Sequence, residues 1–131
     1  MAHILVIEDD ESLRKALRRA LRDLGHVVVV ANDGREGVSR YREDHPDLVI
    51  TDIVMPVQDG LEVIRELAPG GVPIIAMSGA GCSGPTNVLD DAIRLGAFWA
   101  LEKPFTVEAL IAAVDEALRS PSKVFRPTPA A

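Results

Sequence analysis

The stretch "LVITDIVMP", residues 48–56, is an apolar run that is interrupted once by a charge, at Asp52. The four residues before Asp52 have the length and the β-branched character of a buried strand. Similar apolar runs recur along the chain at residues 4–7, 27–31, 73–77 and 98–101. The carboxylate at the end of this strand is therefore the first candidate for a functional group.

Patterns of helical spacing alternate with these runs, at residues 12–25, 33–44, 61–68, 87–96 and 106–118. In the first pattern, leucines recur every three or four residues, with Ser12 as a possible cap and Gly25 as the stop. Five strand–helix units follow one another, and the strands are apolar along both faces. This arrangement predicts an α/β fold in which helices cover both sides of a doubly wound parallel sheet.

The 131 residues of the chain fit one domain, at 1–119, and a flexible tail at 120–131. The tail, "SPSKVFRPTPAA", has three prolines and no periodicity, so we expect no second domain there. A formal net charge of -6 opposes direct contact with nucleic acid. The lone Cys82 cannot form an internal disulfide, and no apolar run approaches membrane-spanning length. We therefore expect a cytoplasmic protein without membrane insertion.

Polar residues follow four of the five predicted strands, and ligands of such sheets bind beyond the carboxyl ends of the strands. These residues are Glu8, Asp9 and Asp10, then Asp52, Ser78 and Lys103. Carboxylates about 5 Å apart repel by roughly 3 kcal/mol per pair at an effective dielectric of about 20, so three together favour a bound cation. Mg²⁺ suits a few carboxylate ligands completed by water. A hydroxyl and an ammonium beside the metal would bind phosphoryl oxygens, and an aspartate is a known nucleophile toward phosphorus.

Four stretches, in this order and spacing, resemble the receiver domain of two-component response regulators: "ILVIEDDESLR" at 4–14, "TDIVMPVQDG" at 51–60, "PIIAMSG" at 73–79 and "LEKPF" at 101–105. The resemblance covers residues 3 to about 119. It implies a flavodoxin-like sheet of five strands in the order 2-1-3-4-5 with five helices. Residues 120–131 are too few to fold alone, so we expect either a stand-alone receiver similar to chemotaxis regulators or the receiver part of a longer regulator.

The resemblance also implies a role for each residue at the strand ends. Asp52 would be the phosphoacceptor, Ser78 and Lys103 would contact the phosphoryl group, and Mg²⁺ would be held by Glu8, Asp9, Asp52 and the backbone carbonyl of Val54. The peptide bond between Lys103 and Pro104 is typically cis in such domains.

Such a domain accepts its phosphoryl group from a histidine kinase or a histidine phosphotransfer protein. It then acts as a phosphorelay component or a protein-binding switch, with no direct contact to nucleic acid. The only enzymatic activities implied are self-phosphorylation and a slow autodephosphorylation. Neither Val54 nor Ala80, the two variable positions beside the site in the family, carries a side chain that binds water.

One departure from the family concerns the aromatic residue that reports phosphorylation, three positions before the lysine. That position is Ala100 here, and Phe98 and Trp99 precede it. We therefore expect no rotating aromatic side chain at this place. The glycine-rich loop at 79–87 is the better candidate for the element that moves.

Two other functions are open on the residues alone. "GAGCSG", residues 79–84, fits the G-x-G-x-x-G fingerprint of dinucleotide-binding proteins, with Glu102 at the end of the next strand. It follows the fourth strand and not the first, which disfavours a nucleotide-binding oxidoreductase. A phosphatase with a D-x-D motif is disfavoured because position 54 is Val.

Each residue also has a purely structural interpretation. Asp9 or Asp10 alone would cap a helix, Ser78 would lie in a turn, and Lys103 would be a surface charge. We interpret the basic face of the first helical pattern as solvated: Arg14, Lys15, Arg18, Arg19 and Arg22. The joint placement of acids, hydroxyl and lysine at one edge favours the phosphoryl site.

Overall fold

The computed structural model of the chain describes residues 2–55, 58–79 and 88–119. Five strands alternate with five α-helices along these residues. In chain order they are β1 (His3–Ile7), α1 (Glu11–Asp23), β2 (Val27–Ala31), α2 (Gly34–Asp44), β3 (Leu48–Asp52), α3 (Gly60–Leu67), β4 (Ile74–Gly79), α4 (Val88–Leu95), β5 (Trp99–Lys103) and α5 (Val107–Arg119). A short 3-10 turn, Ala68–Gly70, follows α3.

The five strands form one parallel sheet in the order β2-β1-β3-β4-β5. The predicted α/β class, the doubly wound sheet and the strand order are therefore confirmed. Parallel register brings the carboxyl ends of neighbouring strands to one edge. Ile7 pairs with Thr51 across β1 and β3, and Asp52 pairs with Met77 across β3 and β4.

The core has two apolar layers, one on each face of the sheet. Alternate residues of β1 enter different layers, with Ile4 and Val6 on one face and Leu5 and Ile7 on the other. Helices α1 and α5 cover the first face, and α2, α3 and α4 cover the second. Burying one such aliphatic side chain stabilises the fold by about 1.5–3 kcal/mol. Because both faces are covered, the sheet exposes functional groups only at its ends.

Side-chain caps and a glycine define several helix boundaries. The side chains of Asp33 and Asp59 accept hydrogen bonds from the backbone N–H of Glu36 at 2.8 Å and of Glu62 at 3.0 Å. Gly25, the predicted stop of α1, has a φ of +95°.

Of the residues predicted to cap α1, Ser12 was wrong, and Asp10 occupies the N-cap position. Ser12 lies inside the helix, and Asp10 precedes the first helical residue without making a side-chain cap hydrogen bond.

Strands β4 and β5 extend two residues further than predicted. Ser78 lies within β4 and Lys103 ends β5, because the ladder continues with Ser78 opposite Glu102 and Gly79 opposite Lys103. Asp52 is likewise the last residue of β3 and does not follow it. The expected order of functional groups along the edge is unchanged.

Some predictions fall on residues outside those described. These are the tail at 120–131, all of the glycine-rich loop except Gly79, and the "GAGCSG" stretch beyond its first residue. Among the described helices, none is both long enough and apolar enough to cross a membrane.

The start of α3 lies directly against the end of β3. Gly60 donates a backbone hydrogen bond to the carbonyl of Ile53 at 2.7 Å. A Cβ on Gly60 would lie 2.1 Å from the carbonyl oxygen of Asp52 and 2.6 Å from the Cα of Ile53. Both atoms belong to the backbone, so they cannot move aside as a flexible side chain would.

We predict that Gly60→Ala lowers the free energy of unfolding by about 2 kcal/mol, because overpacking against fixed backbone costs more than the helix gains from alanine. Urea denaturation measures this difference. Gly79→Ala is the control, since no described atom lies within 4 Å of a Cβ at that position. Equal losses in the two variants would contradict the prediction.

Candidate functional site

Three carboxylates meet at the carboxyl edge of the sheet. Glu8 and Asp9 follow β1, Asp52 ends β3, and the two strands are neighbours. One carboxylate oxygen from each residue lies within 4.8 Å of the others. Glu8 is 1% exposed and Asp52 is 6% exposed, whereas Asp9 is open to solvent. The cluster, which we call the acidic pocket, thus has two buried members and one exposed member.

Lys103 connects the two buried acids. Its Nζ lies 3.1 Å from Oε1 of Glu8 and 3.3 Å from Oδ2 of Asp52. Strands β3 and β4 lie between β1 and β5, so the long lysine side chain crosses the edge to reach Glu8. The prediction that Lys103 lies beside the acids agrees with this geometry. The peptide bond that follows it, to Pro104, is cis.

Ser78 presents a hydroxyl at the same edge. The residue is 1% exposed, and its Oγ has no hydrogen-bond partner among the described residues. A buried hydroxyl without a partner costs about 1–3 kcal/mol. The strand register places Ser78 one residue beyond Met77, the partner of Asp52. Ser78 is therefore a candidate hydrogen-bond donor to a group bound at this edge of the sheet.

The backbone around Asp52 is closely held. The carbonyl of Asp52 accepts a hydrogen bond from the buried Thr51 hydroxyl at 2.9 Å. The N–H of Ile53 lies 2.9 Å from Oδ1 of Asp52 and 2.9 Å from the carbonyl of Met77. Together with the contact at Gly60, these bonds fix the peptide that carries the candidate nucleophile.

Glu8 is bonded at each of its polar groups. Its N–H donates to Ala31 at 3.1 Å, and its Oε2 accepts from the backbone of Asp10 at 3.1 Å. Its carbonyl accepts from Nη1 of Arg14 at 3.0 Å, and Lys103 binds Oε1. The orientation of the carboxylate is thus set on several sides.

The contact of Arg14 was not predicted. From the sequence we expected Arg14 to belong to a solvated basic face, and the other four residues of that face are indeed exposed. Arg14 is partly buried and turns toward the loop before α1. Helical side chains point toward the helix N-terminus, so an arginine in the second turn can reach back to the preceding loop. That rule is the signal from which this contact could have been anticipated.

Burial dominates the electrostatics of the acidic pocket. It raises the pKa of Glu8 from 4.5 to about 7, although the N–H of Asp10 and the ammonium of Lys103 oppose the shift. Burial likewise raises the pKa of Asp52 against the opposing charge of Lys103. For Lys103 itself, burial lowers the pKa, but the carboxylates of Asp52 and Glu8 outweigh burial and leave the pKa above 10.5.

The charge balance favours a cation. One ammonium faces three carboxylates, so negative charge is in excess when all the acids are ionised. Clustered carboxylate oxygens at an open sheet edge are the ligands that Mg²⁺ prefers, with water completing the shell. The residues present therefore fit a magnesium ion. Val54, the predicted carbonyl ligand, has a side chain that is 55% exposed, and its role stays a prediction.

A doubly wound sheet with such an acidic edge is the arrangement of receiver domains in two-component signalling. Residues 4–115 match the family model described as response regulator receiver domain, and the chain belongs to this family. Members of the family are signalling phosphoacceptor domains rather than classical enzymes, and they interact with histidine kinases or phosphotransfer proteins.

Several characterised proteins are similar to the chain. Response regulator MprA of Mycolicibacterium vanbaalenii is 40% identical over 118 residues, which are 88% of this chain and 50% of the relative. The chain thus spans about half the length of the curated relatives it matches. A receiver domain protein of Clostridium thermocellum superposes with a TM-score of 0.84 at 30% identity, covering 91% of this chain and 95% of that one. Chemotaxis protein CheY4 of Vibrio cholerae gives 0.80 at 29% identity, covering 90% and 99%.

The position at which the family resemblance implies a reporting aromatic residue is occupied by Ala100. Ala100 is the second residue of β5 and is partly buried. Phe98 packs against the core layer formed with α1 and α5, and Trp99 is 52% exposed. The expectation that no aromatic side chain rotates at position 100 stays a prediction.

The raised pKa of Glu8 predicts a pH-dependent stability. Folded Glu8 holds its proton up to about pH 7, whereas the unfolded chain releases it near 4.5. Between these values the folded state binds more protons, so the free energy of unfolding falls as pH rises. The loss is on the order of 3 kcal/mol at about 1.4 kcal/mol per pKa unit. Below the window both states are protonated, and above it both are ionised.

Denaturant titrations in metal-free buffer between pH 4 and pH 8 would measure this slope. Asp52 contributes in the same direction, since its pKa is also raised. Glu8→Gln should flatten the slope and should be more stable than the natural chain at pH 8. A slope that is the same with and without Glu8 would contradict the prediction.

Proposed function

We propose that this chain accepts a phosphoryl group from a phosphohistidine donor onto Asp52, with Mg²⁺ held by Glu8, Asp9, Asp52 and the carbonyl of Val54. The observation that carries the proposal is the convergence of acids, a lysine and an unpartnered buried hydroxyl at one sheet edge. These groups come from the ends of separate strands. Their meeting is therefore a property of the fold and not of one local motif.

In the transfer step, a carboxylate oxygen of Asp52 forms a bond to phosphorus while the phosphorus–nitrogen bond of the donor breaks. The released imidazole keeps the electron pair of that bond and takes a proton from solvent. A Mg²⁺ ion held by Glu8, Asp9 and Asp52 would supply positive charge that offsets the charge of the phosphoryl oxygens, so that a dianion could approach the acidic pocket. The bonds around Ile53 keep the Asp52 carboxylate in place for the attack.

Lys103 changes partners in this scheme. In the structure its ammonium is shared between Glu8 and Asp52. Once Asp52 is an acyl phosphate, the negative charge lies on the phosphoryl oxygens. Lys103 then binds one of these oxygens, and the Ser78 hydroxyl donates to another, which satisfies the buried Oγ. The pocket thereby exchanges one set of ion pairs for another, and this exchange is the switch.

The donor is a histidine kinase or a histidine phosphotransfer protein, and the chain acts as a phosphorelay component or a protein-binding switch. Support for this role comes from the family and from the relatives named response regulators. A cytoplasmic location would fit such a donor. Self-phosphorylation by small phosphodonors and a slow autodephosphorylation are the only catalytic activities proposed.

We predict that acetyl phosphate with Mg²⁺ adds one phosphoryl group to the natural chain and none to Asp52→Asn. The substitution removes the nucleophilic oxygen but keeps the size of the side chain. Intact-mass spectrometry measures the addition directly. Asp44→Asn is the control, since Asp44 is an exposed acid at the end of α2.

Phosphate uptake by Asp52→Asn would reject Asp52 as the acceptor. Titration with NAD(H) tests the dinucleotide alternative in the same preparation. Saturable NAD(H) binding without phosphate uptake would favour the oxidoreductase.

We further predict that the phosphorylated form is long-lived. Hydrolysis needs a water in line behind phosphorus, and the exposed apolar side chain of Val54 cannot bind it. Ala80, the other variable position, lies outside the described residues. The double substitution Val54→Asn with Ala80→Glu should speed dephosphorylation by about 10²-fold, the usual value of a positioned catalytic group. The dephosphorylation rate is measured as loss of phosphate after removal of the donor. An unchanged rate in the double variant would show that positions 54 and 80 do not set the lifetime.

A further inference from the structure

Arg14 stands apart from the other basic residues of α1. Lys15, Arg18, Arg19 and Arg22 are exposed, and Lys15 pairs with Glu11 at 3.1 Å. Arg14 is partly buried, and its Nη1 lies 3.0 Å from the carbonyl oxygen of Glu8. A contact directed inward from a surface helix indicates a role other than solubility.

We propose that Arg14 is a positioning residue of the acidic pocket. By binding the carbonyl of Glu8, it holds the loop of residues 8–10 in the conformation that brings the Glu8 and Asp9 carboxylates together for a divalent cation. The inference rests on the proposed function, because it concerns the affinity for Mg²⁺.

The loop is short, and its other bonds do not replace the one to Arg14. The N–H of Glu8 is tied to Ala31, and the N–H of Asp10 is tied to the Glu8 side chain. The peptide between Glu8 and Asp9 is held at its carbonyl oxygen by Arg14. Rotation of this peptide would move the Asp9 carboxylate, which is exposed and makes no hydrogen bond to any residue within 2–55, 58–79 and 88–119. Arg14 therefore controls the member of the pocket that is least fixed.

Electrostatics alone predicts the opposite effect. Arg14 is positively charged and lies next to a candidate cation site, so its removal would lower repulsion and tighten Mg²⁺ binding. Positioning predicts weaker binding. The sign of the change therefore distinguishes the two roles without an estimate of either energy.

The experiment compares Arg14→Ala with Arg18→Ala by calorimetric titration with MgCl₂. Both variants lose one positive charge from α1, and alanine is the strongest helix former, so neither should weaken the helix. We expect Arg14→Ala to bind Mg²⁺ about tenfold more weakly than the natural chain, a loss typical of groups that orient metal ligands. Arg18→Ala should bind at least as tightly as the natural chain. Arg14→Lys, which keeps the charge and a donor, should recover part of the affinity.

A second measurement needs no metal. Amide exchange at Asp10, whose N–H binds the Glu8 side chain, should become at least several-fold faster in Arg14→Ala and stay unchanged in Arg18→Ala. Equal Mg²⁺ affinities in the two variants would overturn the proposal, and so would weaker binding without faster exchange at Asp10. If the natural chain binds no Mg²⁺, the proposed metal site fails, and exchange at Asp10 alone decides whether Arg14 holds the loop.

Discussion

The two ion pairs of Lys103 are the interaction on which the acidic edge depends. Glu8 and Asp52 are both buried, and each carboxylate would be costly to keep ionised without an opposite charge. A single ammonium, 3.1 Å from one and 3.3 Å from the other, serves both. The ammonium does not fully offset the effect of burial, since the pKa values of both carboxyl groups stay raised. The fold therefore maintains a pocket with excess negative charge, and this excess favours the binding of a metal cation.

This arrangement is possible because of the parallel sheet. Strands of one direction end at one edge, so an acid from β1, an acid from β3, a hydroxyl from β4 and a lysine from β5 meet there although they are far apart in sequence. Helices on both faces exclude water from the strands and leave the edge as the open surface. The close contact between Gly60 and the Asp52 carbonyl then ties the edge to the next helix.

Much of this could be predicted from residues alone. Short β-branched runs alternating with helical spacing are enough for the fold class, since local periodicity reports which faces are buried. The order of acids, hydroxyl and lysine at strand ends, together with the family resemblance, gave the candidate residues. The extent of β4 and β5 could not be read in this way, because it depends on pairing between Ser78 and Glu102, which are distant in sequence. The inward turn of Arg14 and the raised pKa of Glu8 also depend on tertiary surroundings, which periodicity does not describe.

The intrinsic fluorescence of Trp99 can be used to follow conformational change in this chain. This residue is the single tryptophan of the chain, half exposed at the start of the strand that ends in Lys103. Residues two apart share a face of a strand, so Trp99 and Lys103 project to the same side, separated by about 13 Å at about 3.3 Å per residue. The indole thus lies a strand's length from the end of β5 at which Lys103 contacts Glu8 and Asp52. A change in its emission would consequently report a displacement of β5, or of α5 beside it, rather than the exchange of ion pairs at the end of the strand.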